Sequence, residues 1–211
     1  LKRGTTTLGE ATPSGNATGV QEQRIGPLPT VRNVALTFSE VGSGTTNLSD
    51  YASAYQCTVT HLDGTIQNLQ QVNGTYGSIT IPSTGEAVRC VFRNSPLVAN
   101  VNIHKDVTDT SGQNPQPRQG WTVGAKSQAT PGTVTKTPTA DTQTTDVNGD
   151  ASWNLKFNAY TSRATVKVSE QMQSGYEFAR GECEITHLDG SKTDVTLNGP
   201  GEQNLTNIAP G

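Results

Sequence analysis

The 211-residue chain carries a net charge of −3, is 31% apolar and 5% aromatic, and holds 22 glycines and 11 prolines. That balance offers no basic surface for nucleic acid or an anionic membrane, and its Gly, Pro, Thr and Asn favour turns and strands over helices. No apolar run approaches the ~20 residues of a membrane span, and no signal-peptide pattern is present.

Residues 1–30 are rich in Thr, Gly and Pro without periodicity, and read as a strand edge and loops. Val31 to Glu40 alternates apolar and polar residues, as a strand with one buried face should. Val41 to Asp50 is a small, polar loop. Tyr55 to Thr60 is a strand carrying Cys57, with Asp63-Gly64 as its turn and Thr65 to Val72 as the return strand. Asn73-Gly74 predicts a further turn, Ser78 to Ile81 a short strand, and Ala87 to Phe92 the strand of Cys90, ending on Asn94. Ser95-Pro96 closes this series, because proline cannot donate to a central ladder.

Val101 to Val107 opens a second series, with Lys105 on the face of Val101, Ile103 and Val107. A lysine on an inward-looking face is costly unless it is paired or chemically altered. Thr108 to Gly120 reads as a loop, Trp121 to Ala125 as a strand, and Thr133 to Thr145 as an extended Thr-rich stretch. The Asn148-Gly149 turn precedes a strand over Ser152 to Phe157, and Ala164 to Glu170 leads through Ser174-Gly175-Tyr176 to the strand of Cys183. No stretch keeps helical spacing over three turns, so the fold class is all-β, with turn signals spaced as in a sandwich.

The two series are copies of one unit. Cys57-Thr58-Val59-Thr60-His61-Leu62-Asp63-Gly64 returns as Cys183-Glu184-Ile185-Thr186-His187-Leu188-Asp189-Gly190, 126 residues later. Val34 to Glu40 matches Ala164 to Glu170, both ending on Ser-Glu; Asn73-Gly74 matches Asn198-Gly199; Ile81-Pro82 matches Ile208-Ala209-Pro210 loosely. Two modules result: residues 1–96, lacking first-strand sequence, and residues 97–211, lacking a last strand. The chain reads as a window cut from a longer array. Cys57 and Cys90 flank alternating strand residues in one copy, which predicts a disulfide and an oxidising compartment. Cys183 then expects its partner beyond Gly211.

These residues resemble the prealbumin-like, CnaB-type (SpaA-like) repeats of Gram-positive pilins and surface adhesins. Val101 to Val107 with its inward lysine is similar to that family's first strand. The Asp146 to Asp150 turn, Val166-Lys167-Val168-Ser169-Glu170 before Ser174-Gly175-Tyr176, and Cys90-Val91-Phe92-Arg93-Asn94 follow in the family's order. The resemblance implies tandem Ig-like sandwiches and a self-processing step, in which a lysine amine attacks an asparagine amide, ammonia leaves, and an isopeptide joins first strand to last. In that chemistry burial disfavours both charged forms, leaving a nucleophilic lysine and a protonated glutamic acid to polarise the amide. Carried over, Lys105 is the nucleophile and Glu170 the proton shuttle of the second module, and Glu40 and Asn94 are the shuttle and acceptor of the first. Each module then lacks one partner.

The leading expectation is a non-enzymatic structural role: an extracellular, cell-surface or wall-attached stalk or fibre, whose partners are neighbouring repeats or identical subunits. No cofactor and no metal site are expected. His61 and His187 recur without Cys or Asp at ligand spacing and read as turn residues, and Asp146 to Asp150 lacks the ligand series of a calcium loop. Asn16, Asn47, Asn73 and Asn204 lie in glycosylation sequons that matter only in a eukaryotic secretory route. The alternative is a module binding a host surface protein or glycan through the loops Thr108 to Gly120 and Thr137 to Asp150; Trp121 and Trp153 could give it flat surfaces for sugar, but both sit within strand patterns and read first as core.

Overall fold

The structure is a computed structural model that describes residues 1–13, 21, 23–81 and 83–211; Asn16 and Pro82 lie outside the described residues. The chain divides into two units, Leu1–Ser95 and Pro96–Gly211. Its one helical element among the described residues is a 3-10 turn, Leu48–Asp50, whose Ser49 N–H is capped by Asn47 Oδ1 at 3.1 Å.

The first unit contains β1 (Lys2–Arg3), β2 (Thr6–Thr7), β3 (Ala35–Ser39), β4 (Tyr51–Thr60), β5 (Ile66–Asn68), β6 (Val72–Asn73), β7 (Tyr76–Thr80) and β8 (Ala87–Pro96). One sheet has the order β2-β1-β3-β7, and the other is built on β4, which pairs with β5, β6 and β8. Alternation puts Leu36 and Phe38 of β3 and Cys57 and Val59 of β4 inside. Phe38, Tyr55 and Phe92 meet edge to face, with centroids 5.0 to 5.8 Å apart, a geometry worth about 0.5–1.5 kcal/mol per pair beyond area burial.

Several strand boundaries differ from the sequence reading, three of them with a visible cause. The strand expected over Val31 to Glu40 begins only at Ala35, because Asn33 takes φ +60° and donates its N–H to Ile81 O, turning the chain first. The return strand expected over Thr65 to Val72 is split into β5 and β6: Leu69 bonds Cys57 O through its N–H, its own carbonyl receives Gln56 Nε2, and the ladder bulges there. The last strand runs on through Pro96 rather than closing before it, on a sheet edge where proline's missing N–H is tolerated.

The second unit contains β9 (Val98–His104), β10 (Asp106–Val107), β11 (Gln116–Pro117), β12 (Thr122–Ala129), β13 (Val134–Thr137), β14 (Thr142–Thr144), β15 (Asp150–Phe157), β16 (Ala164–Glu170), β17 (Gly181–Thr186), β18 (Lys192–Leu197) and β19 (Gln203–Ile208). Sheet β14-β12-β16-β19 faces sheet β13-β15-β9. Between them lie Val123, Ala125, Val166, Val168, Leu205 and Ile208 from one side, and Ala99, Ala151, Trp153, Leu155 and Phe157 from the other. Trp153, Leu155 and Phe157 are within 2% of full burial, and each stabilises the unit by about 2–3 kcal/mol. The expected loop Thr108 to Gly120 contains one short pairing, β11 with β10.

Candidate functional site

In the second unit β9 ends one residue before Lys105, whose backbone is tied on both sides. Its N–H donates to Gly149 O at 2.8 Å, and its carbonyl receives Arg118 N–H at 2.9 Å. Gly149 has φ +81°, and a Cβ there would stand 2.6 Å from Lys105 O, so the Asn148-Gly149 turn must be glycine to lie against this strand. The lysine side chain turns inward. Its Nζ is 2.8 Å from Glu170 Oε1, out of line for a hydrogen bond but in ionic contact, and 4.4 Å from the centroid of Trp121.

Trp121 is 1% exposed. Thr145 fixes it, accepting the Trp121 N–H on Oγ1 at 3.1 Å while donating that hydroxyl to Arg118 O at 2.7 Å. Tyr176 closes the other side edge to face at 5.1 Å. The side chains of Lys105 and Glu170 are 19% and 13% exposed. The lysine nitrogen is thus held between a carboxylate and an aromatic wall.

The first unit brings its own two candidates together. Glu40 follows β3 directly, and its Oε1 accepts Asn94 Nδ2–H at 2.7 Å; Asn94 Oδ1 accepts the Ser53 hydroxyl at 2.6 Å. Each polar member stands two residues from an aromatic on its own strand: Glu40 from Phe38, Asn94 from Phe92, Ser53 from Tyr55. The polar triad therefore sits above the aromatic triad. Glu40 Oε2 is buried with no hydrogen-bond partner among the described residues.

The repeated Asn-Gly signal places both glutamates. In the first unit Glu40 N–H donates to Thr75 O, just after Asn73-Gly74; in the second Glu170 N–H donates to Pro200 O, just after Asn198-Gly199, each at 2.8 Å. The sequence reading took these dipeptides only as turns. Ser53 was missing from its candidate list and Trp121 entered it only as a surface for sugar, although both touch a candidate reactant.

The remaining candidates resolve into structural roles. Cys57 and Cys90 are joined by a disulfide between β4 and β8. Cys183 on β17 faces Val195 of β18 as a free thiol, and burial pushes it above the usual range. The repeated Thr-His-Leu-Asp-Gly stretch is a hairpin turn. Asp63 Oδ1 accepts Thr65 N–H at 2.9 Å and Oγ1–H at 2.7 Å, Asp189 holds Ser191 at the same distances, and Gly64 and Gly190 take φ +83° and +81°. His61 Nδ1 lies 2.9 Å from Glu86 Oε1, and His187 Nε2 lies 3.0 Å from Thr193 Oγ1. Asp146 caps its own turn through Asn148 and Asp150 N–H. Among the described residues no group of three or more His, Cys, Asp or Glu is disposed to hold a metal, and no helix is long and apolar enough to cross a membrane. Trp121 and Trp153 take the core positions their strand patterns favour and offer no flat surface to sugar: both are 1% exposed, and Trp153 spends its indole N–H on Ala140 O at 2.9 Å.

Comparison with known proteins adds one match. No curated protein and no solved structure shows significant similarity to the chain. The family model of a prealbumin-like fold domain, of the SpaA type, matches residues 1–96. Those residues span the first unit, with its paired sheets, disulfide and Glu40–Asn94 contact. Residues 1–96 of this chain are therefore similar to a prealbumin-like fold domain of the SpaA type.

Proposed function

We propose that this chain is a stretch of the structural repeat region of an extracellular surface adhesin, pilus or fibre, stapled by a disulfide and by Lys–Asn isopeptide bonds. The observation that carries the reading is the pairing of each strand-end glutamate with one reactant of that bond: Glu40 with Asn94 at 2.7 Å, and Glu170 with Lys105 at 2.8 Å. In the closed centre the lysine nitrogen adds to Cγ of the asparagine and the C=O electrons move to Oδ1. Collapse then re-forms the carbonyl and breaks the bond to Nδ2. Glutamate carries the amine's proton to Nδ2, which leaves as ammonia.

Adjoining repeats or identical subunits supply the partner strand of each centre. β9 pairs only with β15, and β8 only with β4, among the described strands, so each has an edge for one more. A cross-link between the first and last strands of a module carries tension past the core, and the module bears load without unfolding. The disulfide fits an extracellular setting.

The test is the intact, nonreduced mass of the protein with these modules in their array. We expect a loss of about 17 Da per closed centre, as ammonia, beyond the roughly 2 Da of each disulfide. Lys105→Ala and Asn94→Ala should each restore the ammonia mass of their own centre. A mass accounted for by disulfides alone overturns the isopeptide, leaving plain disulfide-stapled β modules.

A further inference from the structure

We propose that Ser53 is a third catalytic member of the first module's centre, an oxyanion donor to the Asn94 amide. The inference rests on the isopeptide reading above and adds a residue to it. A carboxylate only accepts hydrogen bonds, so the Asn94 amide must turn Nδ2 toward Glu40 and Oδ1 toward Ser53; the serine hydroxyl at 2.6 Å therefore donates. Oδ1 is the atom on which negative charge develops when an amine adds to Cγ. A donor already aimed at that atom lowers the barrier without reorganising during the reaction.

The placement of Ser53 is built into the fold. Cys57 with Cys90, Tyr55 with Phe92 and Ser53 with Asn94 are three successive cross-strand pairs in one register of β4 against β8. The disulfide locks that register four residues from both Ser53 and Asn94. On the far edge of β4, Ser53 O accepts Gly74 N–H at 2.8 Å. Glu40 cannot take over the role while its Oε1 holds Nδ2. Its orphaned, buried Oε2 is left to receive the proton of an arriving lysine.

The step balances without a further reagent. A lysine amine on a docked strand adds to Cγ, the oxyanion on Oδ1 is held by the Ser53 O–H, which keeps its proton, and Glu40 moves the amine proton to Nδ2. Ammonia leaves, and one amide has replaced another. Aligning Cys57 with Cys183 puts Ala179 at the position of Ser53, so the second copy carries no hydroxyl there.

The test uses the whole chain with Lys105→Arg, mixed with excess synthetic peptide of the sequence Val98 to Val107, whose lysine supplies the amine. Adduct formation is followed by intact mass at the sum of the two masses less about 17 Da. Ser53→Thr and Ser53→Val form an isosteric pair differing by the hydroxyl. We expect the threonine variant to react within a few-fold of the unsubstituted chain and the valine variant to slow by roughly 10- to 100-fold, with equal unfolding midpoints. Equal rates for the two variants overturn the role of Ser53 while leaving the isopeptide reading intact. No adduct from the unsubstituted serine chain overturns both.

Discussion

The two modules place the same glutamate by the same device and give it opposite partners. In each, the strand-end Glu donates its N–H to the carbonyl after an Asn-Gly turn. What differs is the side chain opposite. Asn94 in the first module is solvent-exposed; Lys105 in the second is mostly buried, against Trp121. The backbone thus fixes where the glutamate stands, and the neighbouring strand decides whether it meets an amide or an amine. One half-centre rests on a hydrogen-bonded triad above aromatics, and the other on an ion pair beside an indole, so their stabilities should respond differently to the same kinds of change.

The largest difference should come from the cysteines. The bridge between Cys57 and Cys90 spans 33 residues, and a loop of that length restricts the unfolded chain by about 3–4 kcal/mol. Replacing both with alanine should lower the first module's stability in urea by that amount. Cys183→Ala in the second module removes a half-buried thiol and should cost under about 1 kcal/mol. Equal losses in the two modules would show that the bridge does not set the stability of the first.

The glutamates should separate the modules in the opposite sense. Glu170→Ala leaves the Lys105 ammonium inside its pocket with the indole but no anion, and we expect a loss of about 2–4 kcal/mol from the second module, the lower end reflecting partial exposure. Glu40→Ala removes one hydrogen bond to an exposed amide, about 0.5–1.5 kcal/mol. Relief of the buried, unpartnered Oε2 offsets part of that. Urea unfolding of the two single variants measures the contrast. A first module that suffers as much as the second would mean Glu40 supports packing that the Asn94 contact does not account for.

The sequence exposes those features that repeat or alternate. Glu40 and Glu170 stand out because each closes an alternating strand on the same Ser-Glu, and Cys90 because it flanks alternating residues in the module of Cys57. Asn33 and Leu69 were illegible as strand breakers, since the first breaks its strand by a left-handed φ and the second by backbone bonding rather than by composition. Ser53 is one hydroxyl among many, yet its position follows once Cys57 and Cys90 fix the register of their strands. Trp121 reaches Lys105 only through tertiary folding. Lys136 lies in the Thr-rich stretch and has no sequence signal of burial, yet it is 9% exposed, its ammonium held by Ala125 O and by Asp141 Oδ1 at 2.6 Å. That lysine holds the Asp141 carboxyl below the usual range.

The smallest effect lies beside Lys105, where the second module adds a titratable tie. His104 Nδ1 is 2.6 Å from Asp150 Oδ1 and its Nε2 is 3.2 Å from Asp106 Oδ1, linking the end of β9 to the turn that holds the Lys105 backbone. The hydrogen bond to Asp150 raises the imidazole above its ordinary value, desolvation opposes it, and Asp106 reinforces it. A folded-state value above the unfolded one means the folded module binds the proton more tightly. The added stability is therefore fully present below the unfolded value of about 6.5 and disappears as pH rises through the higher folded value. The imidazole is half exposed, so solvent screening limits the effect to a few tenths of a kcal/mol. The second module's thermal midpoint should exceed that of His104→Gln slightly at pH 6, with the gap closing toward pH 8.5. A gap independent of pH would assign His104 a packing role and leave Lys105 positioned by the Gly149 and Arg118 backbone bonds alone.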